Sequence, residues 1–396
     1  MIESTYIGLT GLTTNSRGLQ TISNNVANLN TPGFKASSLR FADLFYSGGD
    51  SGSTGVSGSP QFGAGVTYTQ TTINFKQGEI RTSSQDLDIA IEGRGFLALL
   101  NGDETVYTRT GQFAIDADGN LSETNVGMKL ATLTSTGVLQ PFNVNDRRVN
   151  PPKATKEVKF VDNLSSTAEE HVISGVEVFD TNGGSHNWTL RFKNDFANTA
   201  GRWAVTVEDE EGNQVAEGEV VFNGSTVVPG KDKVTVELKP ASGAASTIVL
   251  DFSSGVTGFS SGSSSSLRVE SKDGYGLGQL SRISVDEEGR LKLEYSNGQS
   301  EATDHIALVD FEDLQALRQR GDGLFEDASP REPRIARQGE FGVGTIQGQS
   351  IEASNVDLSQ EFGQLILYQR GYQASSQVIS VANEMIQQLF ELKGGG

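Results

Sequence analysis

Three histidines, His171, His186 and His305, are the only imidazoles in this 396-residue chain. None stands in an HxH, HExxH or GxSxG arrangement that would hold a metal or activate a nucleophile. Cysteine is absent, which removes thiolate nucleophiles, thiolate ligands and disulfides together. Asp116-Ala117-Asp118-Gly119-Asn120 has the oxygen-rich look of a calcium loop. Its Gly, however, falls at the fourth place rather than the sixth, and no Glu stands at the twelfth, so it reads as a hairpin turn. Gly93-Arg94-Gly95-Phe96 is too short for a dinucleotide fingerprint and no helical pattern follows it; it reads as a tight turn or bulge entering a strand. Asn163, Asn187 and Asn223 open N-x-S/T triplets that matter only in a glycosylating pathway. No catalytic, metal or cofactor site is expected, and the chain reads as a structural protein rather than an enzyme.

Composition narrows the partners. With 31 Lys plus Arg against 50 Asp plus Glu, the net charge of -19 argues against nucleic acid and anionic membrane surfaces. No apolar run approaches the ~20 residues of a membrane helix, so no membrane insertion is expected. The first twenty residues lack a basic leader, an apolar core and a cleavage site, so an exported chain is expected to keep its N-terminus.

The elements that must carry the function are at the two ends. Leu12, Leu19 and Val26 fall seven apart, with Ile22 and Leu29 three residues after Leu19 and Val26, and Leu9 is counted with this seam. At the other end Leu358, Leu365, Tyr372, Ile379 and Ile386 keep the same spacing, with Tyr368, Ala382 and Leu389 beside them. Such seams predict coiled-coil helices over about 4–29 and 356–392. They are expected to pair with each other or with neighbouring copies, and a helical hairpin closed within one monomer is disfavoured. The second helix would be ~55 Å long, and two exposed helices of that size would leave an apolar stripe that monomers rarely tolerate.

Between the ends the pattern is β. Expected fold class is mainly β with helical coiled-coil termini, nested as several domains. The terminal domain takes 1–30 and 356–396, and connecting segments take 31–64 and 340–355. A discontinuous β core takes 65–148 and 279–339, and an inserted outer β domain of sandwich or barrel type takes 149–278. The Gly/Ser run 47–60 reads as a linker or joint. Phe113–Leu121 and Ile283–Leu291 share a strand, acidic turn and strand, which fits two hairpins of one β domain, though turn chemistry alone would produce the likeness.

The run NNVANLNTPGFKAS, residues 24–37, resembles the N-terminal signature of bacterial flagellar rod and hook axial proteins, with Asn24, Asn25, Asn28, Thr31, Gly33 and Phe34 as its motif positions. Residues 354–393, opening on Ser354-Asn355-Val356, resemble the matching C-terminal signature, and 61–99 with 107–121 resemble the shared core. The insert, through 176–190, is similar to that of hook subunits, whereas rod subunits are shorter. The resemblance implies a self-assembling, bendable helical tube transmitting torque from rod to filament. It implies as partners further copies of the chain, flagellar rod proteins, the hook cap, hook–filament junction proteins and the type III export apparatus, and a location in the extracellular flagellar hook. A distal rod subunit with an insertion, and a secreted β-rich adhesin or hydrolase working through 150–280, are the alternatives.

Overall fold

A computed structural model describes residues 2–44, 46–47, 62–102, 104–134, 136–196, 199–239 and 244–394. The Gly/Ser run is outside them from residue 48 to residue 60. The protein is mainly β with one long helix at each end: α1 spans Ile2–Ala27 and α2 spans Leu358–Gly394. It divides into two compact units. The first comprises Met1–Asn145, Ile283–Lys292 and Ala302–Gly396; the second comprises Asp146–Arg282 and Leu293–Glu301.

In the first unit the strand Phe96–Asn101 is central, pairing antiparallel with Glu104–Thr108, Lys129–Leu133 and Leu308–Asp310. Its inward residues meet a cluster of aromatic rings. Phe96 packs edge-on to Phe311 at 5.5 Å and to Phe325 at 5.6 Å, and Tyr107 meets Phe311 at 4.8 Å. Such tilted contacts suit the ring quadrupole and fix one packing of the core. A separate hairpin of Ser37–Asp43 with Val66–Ile73 packs beside the helices, bulged between Leu39 and Phe41.

The second unit is a curled sheet. Strands 170–179, 185–194, 202–208 and 214–223 run as an antiparallel meander. Glu157–Asn163 pairs in parallel with Ser246–Asp251 and Val256–Thr257, and antiparallel with Arg268–Lys272. Period-two alternation along Trp188–Phe192, Trp203–Val207 and Val234–Leu238 puts one face of each strand inside. Both tryptophans and Phe160, Phe192 and Phe252 are fully buried there, with Phe160 stacked on Phe252 at 4.5 Å.

The repeated acidic turns have a common cause. Asp116, Asp209 and Asp286 each accept, through Oδ1, the backbone N–H groups two and four residues ahead, at 2.8–3.1 Å. The glycine at the fourth place, Gly119, Gly212 or Gly289, has φ of +82°, +82° or +73°. Only a residue without Cβ takes that conformation at no steric cost, so Asp-x-x-Gly is selected locally. The turns at Asp116 and Asp286 lie in the first unit and the one at Asp209 in the second, so their likeness does not by itself mark a shared domain.

Candidate functional site

The helices α1 and α2 pack antiparallel on one another within the chain. A Cβ built on Gly8 would lie 2.8 Å from Ile379 Cγ1, one on Gly11 would lie 2.6 Å from Ser375 Oγ, and one on Gly18 would lie 2.9 Å from the Tyr368 ring. From the other side, a Cβ on Gly371 would lie 2.6 Å from Asn15 Oδ1. At the base Asn25 Nδ2 donates to Glu361 Oε1 at 3.0 Å. The inner row of α1 is therefore Gly8, Gly11, Asn15, Gly18, Ile22 and Asn25, alternating three and four residues as a heptad seam does. It lies one residue before the leucine row that apolar periodicity picks out. The closed hairpin that the sequence disfavours is thus formed, because glycines allow an approach that leucines would block.

The seam residues separate accordingly. Ile22 is buried in the pair, and Tyr368 and Ile379 meet α1 glycines. Leu12, Leu19, Val26 and Leu29 are half-buried on the flanks, as are Leu365 and Ile386. Leu9, Leu358, Tyr372 and Leu389 are exposed. Around them lies an apolar stripe that the pairing leaves open: Phe362, Ile366 and Leu367 in the first half of α2, and Val378, Val381, Met385 and Phe390 in the second. Leu367 and Phe390 are 67% and 70% exposed.

The motif residues tie the helices to the β scaffold. Asn25 Nδ2 donates to Ser37 O at 2.8 Å while its Oδ1 accepts from Ser37 N at 3.0 Å, fastening strand Ser37–Asp43 to α1. Asn28 Oδ1 accepts from Thr31 Oγ1, and Asn28 Nδ2 donates back to Asn24 O. Gly33, at φ +70°, donates its N–H to Glu352 O at 2.8 Å. Asn355 N donates to Phe34 O; its Oδ1 accepts from Ala36 N, and its Nδ2 donates to Asn74 O and Lys76 O. Ser354 Oγ accepts from Val356 N, Val356 is buried, and Asp357 then caps α2 by accepting from Ser359 N and Gln360 N.

Beneath these bonds is a buried charge cluster. Lys35 Nζ lies 2.5 Å from Glu352 Oε1, and Arg109 Nε lies 3.2 Å from Glu352 Oε2; the Lys35 and Glu352 side chains are wholly inaccessible. Gly78 N and Lys76 O complete the shell around the Lys35–Glu352 pair, and the Gly93 and Gly95 carbonyls accept from Arg109. The turn expected at Gly93–Phe96 thus serves as an acceptor for a buried guanidinium. Burial pulls the Lys35 ammonium below its ordinary value, against the attraction of Glu352. Three distant segments, carrying Lys35, Gly78 and Arg109, meet on this one carboxylate. Periodicity did not find it, yet a signal was there: Lys35 is the only charge between Arg17 and Arg40, and Glu352 the only one between Glu340 and Asp357.

The residues first weighed for chemistry stay apart. His171 Nε2 meets Leu267 O at 2.9 Å, His186 Nε2 meets Asp180 at 3.2 Å, and His305 Nδ1 meets Glu288 O at 3.2 Å. Hydrogen bonds from Asn120, Ser122 and Asp118 hold the Asp116 carboxyl below its usual range.

Known proteins match this arrangement at both ends and in the middle. Residues 6–35 match the family described as flagella basal body rod protein, 90–163 the flagellar hook protein FlgE/F/G D1 domain, and 347–392 the flagellar basal body rod FlgEFG protein C-terminal. The flagellar hook protein FlgE of Borreliella burgdorferi is 27% identical over 99% of this chain and 100% of its own length. That of Escherichia coli is 27% identical over 97% and 98%. In fold, the crystal structure of Helicobacter pylori flagellar hook protein FlgE2 is similar with a TM-score of 0.50 at 14% identity, covering 69% of this chain and 100% of that one. The chain is thus similar to flagellar hook proteins along nearly its whole length, and its two ends match flagellar rod-type family models.

Proposed function

We propose that this chain is the structural subunit of a flagellar hook, polymerising into a helical, bendable tube that transmits torque from rod to filament. One observation carries the reading: after α1 and α2 have packed together, α2 still presents an apolar stripe along most of its length. Stripes of that extent mark protein contacts. A tube requires heterologous contacts that do not close, and the helix pair offers such a surface. The seam residues Leu9, Leu358, Tyr372 and Leu389 belong to the surface facing neighbouring copies, while Ile22, Tyr368 and Ile379 close the pair within a copy. Rod proteins, the hook cap and junction proteins would bind the ends of the same polymer. The subunit would pass through the type III apparatus unfolded to an extracellular position.

The test is the double substitution Phe362→Asp and Leu367→Asp. Both residues are exposed, so the monomer is expected to melt within ~0.5 kcal/mol of wild type. The wild type is expected to form curved tubes, read by electron microscopy and sedimentation, and the double variant none. Polymers of normal yield from the double variant would sink the proposal, and straight, stiff wild-type polymers would point to a rod instead.

A further inference from the structure

The chain has three methionines and no cysteine, so thioethers are its only sulfur. Met128 is half-buried in the first unit. Met385 stands on α2 and is 43% exposed. It lies in the middle of a ridge, because Val378, Val381, Met385 and Leu389 follow one another at steps of three and four residues and all are exposed. Ala382, by contrast, is buried and continues the inner row of Ser375 and Ile379 that meets α1. The valines and the leucine of the ridge resist oxidation, whereas a solvent-facing thioether does not. Both tryptophans are fully buried, and there is no thiol to react first.

A thioether suits an apolar contact, being flexible and polarisable. Its sulfoxide does not. In the reaction with hydrogen peroxide a sulfur lone pair attacks one peroxide oxygen, an S–O bond forms as the O–O bond breaks, and the second oxygen takes up the released proton and leaves as water. Sulfur is oxidised by two electrons and the peroxide is reduced. The product is a polar, chiral side chain. Its oxygen needs a hydrogen-bond donor, and the aliphatic neighbours Val378, Val381 and Leu389 supply none, so burying it against another copy is unfavourable. We propose that Met385 is an oxidation site for peroxides, and that the sulfoxide formed there turns off the outer surface of α2 for contact with further copies. The monomer is the sensitive form, since the contact itself covers the sulfur. Enzymatic reduction of the sulfoxide reverses the step. The inference rests on the assembly reading above and adds a chemical control to it.

The experiment treats full-length monomer with hydrogen peroxide, locates added oxygen by peptide mass spectrometry and reads polymerisation by sedimentation. Oxygen is expected at Met385 ahead of Met128, and the critical concentration is expected to rise about tenfold or more, the scale of losing one buried apolar side chain. Met385→Leu conserves volume and is expected to polymerise as wild type with or without peroxide. Met385→Gln is expected to raise the critical concentration without any oxidant. Assembled polymer given the same treatment is expected to keep Met385 unoxidised. Peroxide that inhibits Met385→Leu as strongly as wild type would overturn the inference, as would Met385 sulfoxide at full occupancy with an unchanged critical concentration. Untreated wild type that never polymerises would instead sink the assembly reading, and this control with it.

Discussion

The second unit and the helix pair use apolar residues in opposite ways. In the second unit the largest side chains, Trp188, Trp203, Phe160, Phe192 and Phe252, are all inside and the strands show alternating polar residues to solvent. In the helix pair the inner row is mostly glycine and asparagine, while leucine, isoleucine, valine and phenylalanine stand outside. A fully buried side chain of those types is worth ~1.5–3 kcal/mol, so the first arrangement is energetically complete and the second leaves much of its gain unused. The charge pattern agrees. α1 carries two charged residues in 26 and α2 five in 37, against 20% charged residues in the whole chain. In a homopolymer every charge is repeated at each subunit, so helices that are to lie against copies of themselves gain by having few.

The largest effect that would test this contrast is expected at Glu352→Gln. Removing the anion strands Lys35 and Arg109 without a counter-charge in a buried site, which costs ~3–5 kcal/mol. Both tryptophans lie in the second unit, so indole fluorescence reads that unit alone. The expectation is that far-ultraviolet dichroism shows an early loss of structure while the tryptophan transition stays in place. A tryptophan transition moving in step would mean that the two units unfold as one, and the comparison between finished and unfinished regions would have to be redrawn.

Gly18→Leu is expected to act next in size. Its side chain would enter the Tyr368 ring, which also leans on Phe41 at 5.6 Å and has little room to retreat. Overpacking of this kind costs ~1–3 kcal/mol. Dichroism at 222 nm should fall for the Gly18→Leu monomer and stay level for Leu367→Ala, which trims the outer stripe. Equal behaviour of the two would show that inner and outer rows are not distinct.

How much of this the sequence disclosed follows from what periodicity measures. The helices at both ends, the β character between them and the acidic turns were legible because each rests on local rules: apolar spacing, period-two alternation, and glycine after aspartate. Which face of α1 meets α2 was not legible, because close helix approach is signalled by small residues, and hydrophobic counting passes over Gly8, Gly11 and Gly18. The same counting selected Leu12 and Leu19, which flank the contact. The Lys35–Glu352–Arg109 cluster joins residues hundreds of positions apart, and only the isolation of each charge in an uncharged stretch hints at it. Asn25 and Asn355 were identified as motif positions, but their work, which is to bond backbone from other segments, depends on tertiary placement.

The smallest expected effect is a difference in the sign of pH dependence. Hydrogen bonds from Asn120 hold Asp116 below the usual carboxylate range, and those from Asn213 do the same for Asp209. Groups depressed in the folded state contribute stability above their ordinary pKa and lose it as pH falls. Glu361, at the base of the helix pair, is the reverse. Its Oε1 accepts from Asn25, its Oε2 is buried with no hydrogen-bond partner among the described residues, and Asp357 adds like charge. Burial therefore raises its pKa, with Asp357 pushing the same way and the Asn25 bond opposing. A carboxyl whose folded pKa is raised binds its proton more tightly in the folded state. Its effect on stability is thus most favourable below the ordinary carboxylate value and declines as pH rises through the raised one. Mild acidification, down to the ordinary carboxylate value, should accordingly tighten the helix pair, and only stronger acid below that value should loosen the acidic turns; Glu361→Gln should make the pair's helicity independent of pH over the mild interval. Helicity that still declines with rising pH in Glu361→Gln would place the titrating group elsewhere, and a wild-type pair weakened by mild acid would remove the opposition in sign between the two regions.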